Sequence, residues 1–267
     1  MSNVRIIDAA KRSFILLKKD PTLLVLFVLP ALFPAGGAIT TYLTTLVVFG
    51  PVQNTPPALS ILLSLLYLLV GLFLGAWAVA GAVLKTAELE RNGKLGLGRA
   101  LSRGLRKVPR LLIPSIVTFA IATLMSAGQA AAVIGYPFIG MAPVRPAVGP
   151  SSIAFRLAMG FLFLIALYAM VRLRLCAPAS VLENNFGLKT SWKLAKGNWW
   201  RLFAIILIFL AMSAVISLIP VASVFFIQVR AFFADLIVSP LLIAALTLAY
   251  LQLTEAKPRR EEEKQPL

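Results

Sequence analysis

Residues 58–84 read ALSILLSLLYLLVGLFLGAWAVAGAVL, a run without a charged side chain. The hydrocarbon core of a bilayer is about 30 Å thick and takes about 20 residues of helix, because no water there can satisfy exposed backbone groups. The run is therefore predicted to be a transmembrane helix. Five further apolar stretches meet the same criterion: 22–48, 110–135, 153–175, 200–227 and 231–253.

The composition agrees with an all-α integral membrane protein of six transmembrane helices. Of the 267 residues, 60% are hydrophobic and 13% are charged, with a mean hydropathy of +0.90. A soluble domain has about 25% charged residues and a smaller apolar share. The composition is therefore typical of a protein that lies largely within a lipid bilayer.

The positions of the basic residues predict how the helices are oriented. Lys and Arg total 26, against 10 Asp and Glu. All the basic residues except Arg145, Arg156 and Arg230 lie before the first helix, in or beside the second and fourth connections, or in the tail. Because short loops rich in Lys and Arg stay in the cytoplasm, both termini are predicted to be cytoplasmic in a cell-membrane protein. This distribution explains the net charge of +16 without a nucleic-acid partner.

The inventory of reactive side chains is too small to predict an enzyme. The chain has no histidine and one cysteine, Cys176, so the commonest metal ligand and general base are missing. Glu88, Glu90 and Glu183 lie at predicted cytoplasmic helix ends, where pairing with nearby Lys and Arg is the simpler interpretation. We expect no catalytic residues, no metal and no cofactor.

Three segments of similar sequence, 8–21, 96–109 and 186–199, each lead straight into an apolar stretch. Their basic residues align in two sets: Lys11 with Arg99 and Lys189, and Lys18 with Arg106 and Lys196. A near-constant period indicates a duplicated unit, here an amphipathic helix followed by a transmembrane hairpin. The single domain 1–256 is thus divided into units of about 1–92, 93–185 and 186–256, followed by a disordered tail at 257–267.

The six aligned basic residues are the candidate contacts for lipid headgroups. In the first segment, Ile6, Ala10, Phe14 and Leu17 follow helical spacing on one side, so the helix can lie in the headgroup layer with that side down. Anionic lipids of the cytoplasmic leaflet attract each such Lys or Arg by about 1 kcal/mol. The alternative is that these helices only anchor the hairpins and fix the topology.

Two features within the predicted spans are further candidates. Asp235 lies near the outer end of the sixth helix. It could be a structural ion pair with Arg156 or Arg230, a hydrated carboxylate, or a proton or cation site. Small residues on the second helix form a stripe that lets another helix approach closely, within the chain or in a partner: Gly71, Gly75, Ala78 and Ala82. Packing is the commoner role of such a stripe.

Residues 178–183, PASVLE, and 187–201, GLKTSWKLAKGNWWR, resemble the membrane domain that is fused to some glycerophosphodiester phosphodiesterases. That domain also has stand-alone prokaryotic relatives, largely of unknown function. The resemblance implies that Pro178, Glu183 and Ser191 mark the turn from the fourth helix into the third amphipathic helix. It does not imply phosphodiesterase activity, because that fused domain would need histidines.

The sequence thus predicts a non-enzymatic membrane protein with a lipid-associated accessory or membrane-organising role. A small-molecule or ion transporter is the first alternative, since several prolines could interrupt helices around a site: Pro30, Pro34, Pro114, Pro220 and Pro240. A membrane-embedded lipid enzyme is the second alternative.

Overall fold

A computed structural model describes residues 6–32, 57–134, 150–183, 185–219 and 224–255. These ranges consist of helices and the turns between them. In chain order the helices are α1 (Ile6–Lys19), α2 (Thr22–Leu32), α3 (Pro57–Glu90), α4 (Leu97–Leu105), α5 (Val108–Ile134), α6 (Pro150–Leu173), α7 (Cys176–Leu182), α8 (Leu188–Ala195), α9 (Trp199–Ser217) and α10 (Val224–Glu255).

Within the described ranges, four helical segments are long and apolar enough to cross a membrane. They are Leu66–Glu90 in α3, Gly160–Leu182 through α6 and α7, Trp199–Ser217 in α9, and Phe232–Glu255 in α10. Thr22–Leu32 and Val108–Ile121 are shorter apolar helical segments. The described part of the protein is therefore all-helical, with four candidate membrane-spanning helices. Residues 33–48 of the predicted first span and the predicted tail, 257–267, lie outside the described residues.

The predicted fourth span, 153–175, ends close to the end of helix α6, and a second short helix follows it. Helix α6 ends at Leu173, the Arg174 N–H bonds back to the Val171 carbonyl at 3.4 Å, and α7 begins after a turn. Pro178 lies in the first turn of α7. A proline has no N–H to donate, and the first turn of a helix has no intrahelical acceptor for one. The sequence therefore favours a new helix here.

The boundary between the last two predicted spans also differs. The sequence placed the break between 227 and 231, whereas α9 ends at Ser217 and α10 begins at Val224. Pro220 follows the end of α9 in the sequence and could not continue the helix without losing a hydrogen bond. Arg230 lies within α10, and its Nη1 donates to the carbonyls of Ser217 and Ile219 at 2.6 and 3.0 Å. It thereby satisfies backbone groups that the end of α9 leaves unpaired.

The helices pack in a regular pattern. Helices α3, α7 and α10 contact one another, and each of the three short basic helices lies against a different part of this group. Helix α1 packs on α10 and α9, helix α4 on α3, and helix α8 on α6 and α7. The short helices can approach closely because small residues face inward: a Cβ added to Gly104 would lie 3.0 Å from the Gly81 nitrogen.

Candidate functional site

The three short helices turn their aligned basic residues outward. All six are exposed: Lys11, Lys18, Arg99, Arg106, Lys189 and Lys196. Arg106 and Lys196 lie in the turns that directly follow α4 and α8. The opposite faces are buried, through Ser13 on α1, Ala100 on α4 and Ser191 on α8. Each helix therefore presents cations on the side that faces away from the bundle.

Helix α1 buries a face in the bundle that differs from the apolar side identified in the sequence. Ala9, Ser13 and Leu16 are buried along with Ala10, whereas Phe14 is 43% exposed and stacks on Phe209 at 6.3 Å. The small side chains allow α1 to pack closely on α9 and α10, which leaves the bulkier apolar residues outside. The apolar face predicted for the headgroup layer is thus shared between the bundle and the surface.

The surface of α1 nevertheless combines apolar and basic side chains. Ile7 is 77% exposed and Ile15 is 54% exposed, and both lie on the same side of the helix as Lys11 and Lys18 by helical spacing. A face of this composition suits the boundary between lipid and water, where apolar groups point inward and long cationic side chains reach the headgroups.

Sequence reasoning missed a buried ion pair at the junction of α1 and α2. Lys85 of α3, grouped with the surface cations of the second connection, is only 2% exposed. Its Nζ lies 3.0 Å from the Asp20 Oδ2 and also donates to the Thr22 hydroxyl. Asp20 Oδ1 accepts from the Thr22 backbone N–H at 3.1 Å and from its hydroxyl. Lys85 therefore joins α3 to the turn that precedes α2.

The environment of Asp20 favours its ionised form. Partial burial alone would raise the pKa of the carboxyl group, but hydrogen bonds from Thr22 and Lys85 and the positive charge of Lys85 outweigh it. The pKa of Asp20 is therefore held below its usual range.

The motif that carries the family resemblance forms a compact network. Glu183 accepts hydrogen bonds from the Tyr250 hydroxyl, from Thr190 Oγ1 at 2.9 Å and from Asn185 Nδ2 at 3.0 Å. The Ser191 hydroxyl donates to the Arg172 carbonyl. Pro178 thus lies in α7, Glu183 at the end of α7 and Ser191 in α8, and the hydrogen bonds of Glu183 and Ser191 connect these helices to α10 and α6. Tyr250 could not be found from the motif, because it comes from α10.

Aromatic rings surround a cation beside this network. The Arg172 guanidinium lies 4.6 Å from the ring centres of both Tyr168 and Trp192. The Trp199 indole N–H donates to the Tyr168 carbonyl at 3.3 Å, and Trp200 next to it is 74% exposed. Indole rings and arginines collect at the level of lipid headgroups, so this cluster is suited to that boundary.

The predicted intramembrane candidate Asp235 is exposed on α10. Arg230 bonds to backbone carbonyls instead, and the side chain of Arg156 lies outside what the structure describes. Among the described residues, Asp235 therefore forms no ion pair with the partners that the sequence predicted.

The small-residue stripe of α3 divides into two halves. Ala78 and Ala82 are buried in the core. Gly71 and Gly75 are partly exposed, and a Cβ added to Gly75 would meet nothing within 4 Å in the described chain. Ala78 and Ala82 therefore pack within the bundle. For Gly71 and Gly75, a surface for close helix approach stays a prediction.

Among the described residues, no three His, Cys, Asp or Glu side chains come close enough to hold a metal ion, and Cys176 is buried. No protein-family model, curated protein or solved structure matches the chain. The resemblance to the phosphodiesterase-associated membrane domain therefore stays a prediction.

Proposed function

We propose that this is a six-span, non-enzymatic protein of the cell membrane that binds anionic lipid through its basic helices and has an accessory or membrane-organising role. The observation that carries the proposal is that all six aligned basic residues are exposed while small residues on the same helices are buried. Lysines and arginines held in this way attract the anionic headgroups of the cytoplasmic leaflet. Both termini lie in the cytoplasm.

The packing supports three repeated units with the boundaries predicted from the sequence. Each basic helix lies against the last helices of the preceding unit: α4 on α3, α8 on α6 and α7, and α1 on α10 of the third unit. A duplicated hairpin that closes on itself would produce this cyclic arrangement. Each basic helix is also followed, after a short turn, by an apolar helix, namely α2, α5 and α9.

Transport receives less support than lipid binding. It would require a polar cavity near Asp235 or near the helix-breaking prolines. The cavity beside Pro114 is lined mainly by apolar side chains, and Asp235 does not line it.

Lipid retention tests the proposal. We expect the purified protein to retain anionic lipids over neutral ones, and the variant Lys11→Gln/Arg99→Gln/Lys189→Gln to retain fewer. The control Lys19→Gln/Arg91→Gln/Lys193→Gln removes the same charge from exposed residues outside the aligned set. It should retain more anionic lipid than the variant of the aligned residues. No preference for anionic lipid in the wild-type protein would overturn the proposal. Reporter fusions that place either terminus outside would overturn its topology.

A further inference from the structure

A cavity of about 350 Å³ lies between α3, α5, α10 and the break between α6 and α7. This volume is in the range of sites that hold small ligands. Its walls are mainly apolar, with side chains that include Leu111, Phe119, Met170, Ile243 and Leu246. Such walls suit a hydrocarbon chain better than a polar solute.

One charged residue, Arg174, lines this cavity. It lies in the turn between α6 and α7 and is partly buried. Among the described residues its guanidinium makes no hydrogen bond or ion pair, and no carboxylate lines the cavity. A guanidinium has five N–H donors and is costly to remove from water without a partner. The cavity therefore presents a cation with unused donors to whatever fills it.

Two hydroxyl groups add polar atoms to the same space. Ser115 and Thr118 of α5 line the cavity with Arg174. The Thr118 hydroxyl donates to the Pro114 carbonyl at 2.7 Å, so its proton is used within the helix. The polar part of the lining is thus small and positively charged, and the rest is apolar.

The residues around the cavity suggest the depth of Arg174 in a membrane. Two residues earlier, the Arg172 guanidinium lies between the rings of Tyr168 and Trp192, a combination typical of the headgroup boundary. Lipid phosphates are the abundant anions at that depth.

The start of α5 adds to the positive potential. Leu111, which lines the cavity, donates its N–H to the Lys107 carbonyl at 3.3 Å, so Lys107 lies one helical turn away. Burial and the nearby charge of Arg110 lower the pKa of Lys107. Lys107 and Arg110 therefore place two further positive charges at the start of α5.

We propose that the cavity binds one membrane phospholipid, with a phosphate oxygen on the Arg174 guanidinium and an acyl chain against Phe119, Met170 and Ile243. Arginine suits phosphate because its planar fork can donate two parallel hydrogen bonds. The site goes beyond the surface binding proposed above, because it holds the phosphate and part of one acyl chain of a single lipid between the helices and uses none of the six exposed basic residues.

The test is native mass spectrometry of the full chain after delipidation and addition of phosphatidylglycerol. We expect one tightly held phospholipid, with an affinity about 10-fold or more lower in Arg174→Gln, since hydrogen bonds to charged groups are strong. The control Lys193→Gln removes one exposed cation of α8 and should leave this affinity unchanged. Equal affinity in Arg174→Gln and the wild-type protein would overturn the proposal.

A second variant keeps the test valid if Arg174→Gln does not fold. Ala177 lines the cavity, so Ala177→Leu should exclude the lipid while Arg174 stays in place. Oleate and inorganic phosphate serve as competing probes. Displacement of the phospholipid by either at equal concentration would show a carboxylate or free-phosphate site and overturn the proposal.

The same experiment separates this site from the basic helices. We expect the variant Lys11→Gln/Arg99→Gln/Lys189→Gln to keep the single tight lipid. If that variant loses the lipid while Arg174→Gln keeps it, the tight lipid belongs to the surface and the cavity proposal fails. If the wild-type protein shows no surface preference for anionic lipid but Arg174→Gln still loses one phospholipid, only the function proposed for the basic helices fails.

Discussion

The Lys85 ammonium lies 3.0 Å from the Asp20 carboxylate, and the two side chains differ greatly in exposure, at 2% and 23%. The lysine comes from α3, whereas the aspartate precedes α2 and accepts hydrogen bonds from Thr22 in its first turn. One contact therefore fixes both the end of α1 and the start of α2 against α3. Because Asp20 can reach water and Lys85 cannot, removing Asp20 and removing Lys85 should change the stability of the fold by different amounts.

Asp20→Asn should destabilise the protein more than Lys85→Met. The first change leaves a buried ammonium without its counter-ion, which costs about 3–5 kcal/mol, whereas an apolar replacement of the buried charge is often tolerated. The measurement is the free energy of unfolding by denaturant in detergent micelles. The double variant should recover part of the loss.

The control pair Arg12 and Glu90, 2.7 Å apart and more exposed, should contribute at most about 1 kcal/mol. Equal losses for Asp20→Asn and Lys85→Met would contradict the unequal burial of the pair.

The same contact predicts a dependence of stability on pH. The pKa of Asp20 is lowered in the folded protein, so its contribution is fully present above the unfolded pKa of about 3.9 and is lost as the pH falls through the lower folded value. Thermal unfolding should therefore show a gap between wild type and Asp20→Asn that narrows below about pH 4. A gap that stays constant on acidification would show that the carboxylate charge does not stabilise the fold.

Gly187→Ala should be among the more damaging glycine changes. Gly187 has φ = 67°, and an added Cβ would lie 2.5 Å from the Cys176 carbonyl oxygen. The variant combines left-handed strain with a steric clash, so we expect a loss of more than about 2 kcal/mol in unfolding free energy. Gly197 has φ = 86° but open space around it, so Gly197→Ala should cost only about 1–2 kcal/mol. Similar losses at the two positions would mean that the turn can widen around the new methyl group.

A double-mutant cycle should detect coupling between α10 and the turn after α7. The Tyr250 hydroxyl donates to Glu183, and Tyr250 is 2% exposed while Glu183 is exposed. Solvent screening reduces the interaction, so the coupling between Tyr250→Phe and Glu183→Gln should be about 1 kcal/mol. The more exposed bond from Thr190 to Glu183 provides the comparison, with Thr190→Val in place of Tyr250→Phe. A smaller coupling for Tyr250 than for Thr190 would contradict the contact.

The helical class could be predicted because it depends on composition and on uninterrupted apolar runs. The burial of Lys85 was missed because the residue begins a stretch of sequence rich in cations. A signal was present: Lys85 follows Ala78 and Ala82 at the same alternation of three and four residues, and both alanines are buried. Its partner Asp20 is distant in sequence, so no local pattern could pair them.

The cavity beside Arg174 was beyond sequence reasoning for a related reason. In the sequence, Arg172 and Arg174 both lie at the end of the predicted fourth span, and no local pattern distinguishes them. The fold separates them, because Arg172 lies between two aromatic rings while Arg174 turns toward α5 and α10. Which of the two neighbouring arginines faces the cavity depends on how α3, α5 and α10 pack around the break between α6 and α7, and those helices are distant in sequence.

Helix α1 packs on α10, so the earliest and latest described helices of the chain meet. A protein synthesised from its N-terminus must keep the small-residue face of α1 uncovered until α10 has entered the membrane. Joining segments so distant in sequence also delays folding, because chain entropy is lost before the contact forms. Biosynthesis of this bundle therefore ends with the docking of α10 on α1. A ribosome that stalls before α10 would release a chain in which the side of α1 that contacts α10 is uncovered.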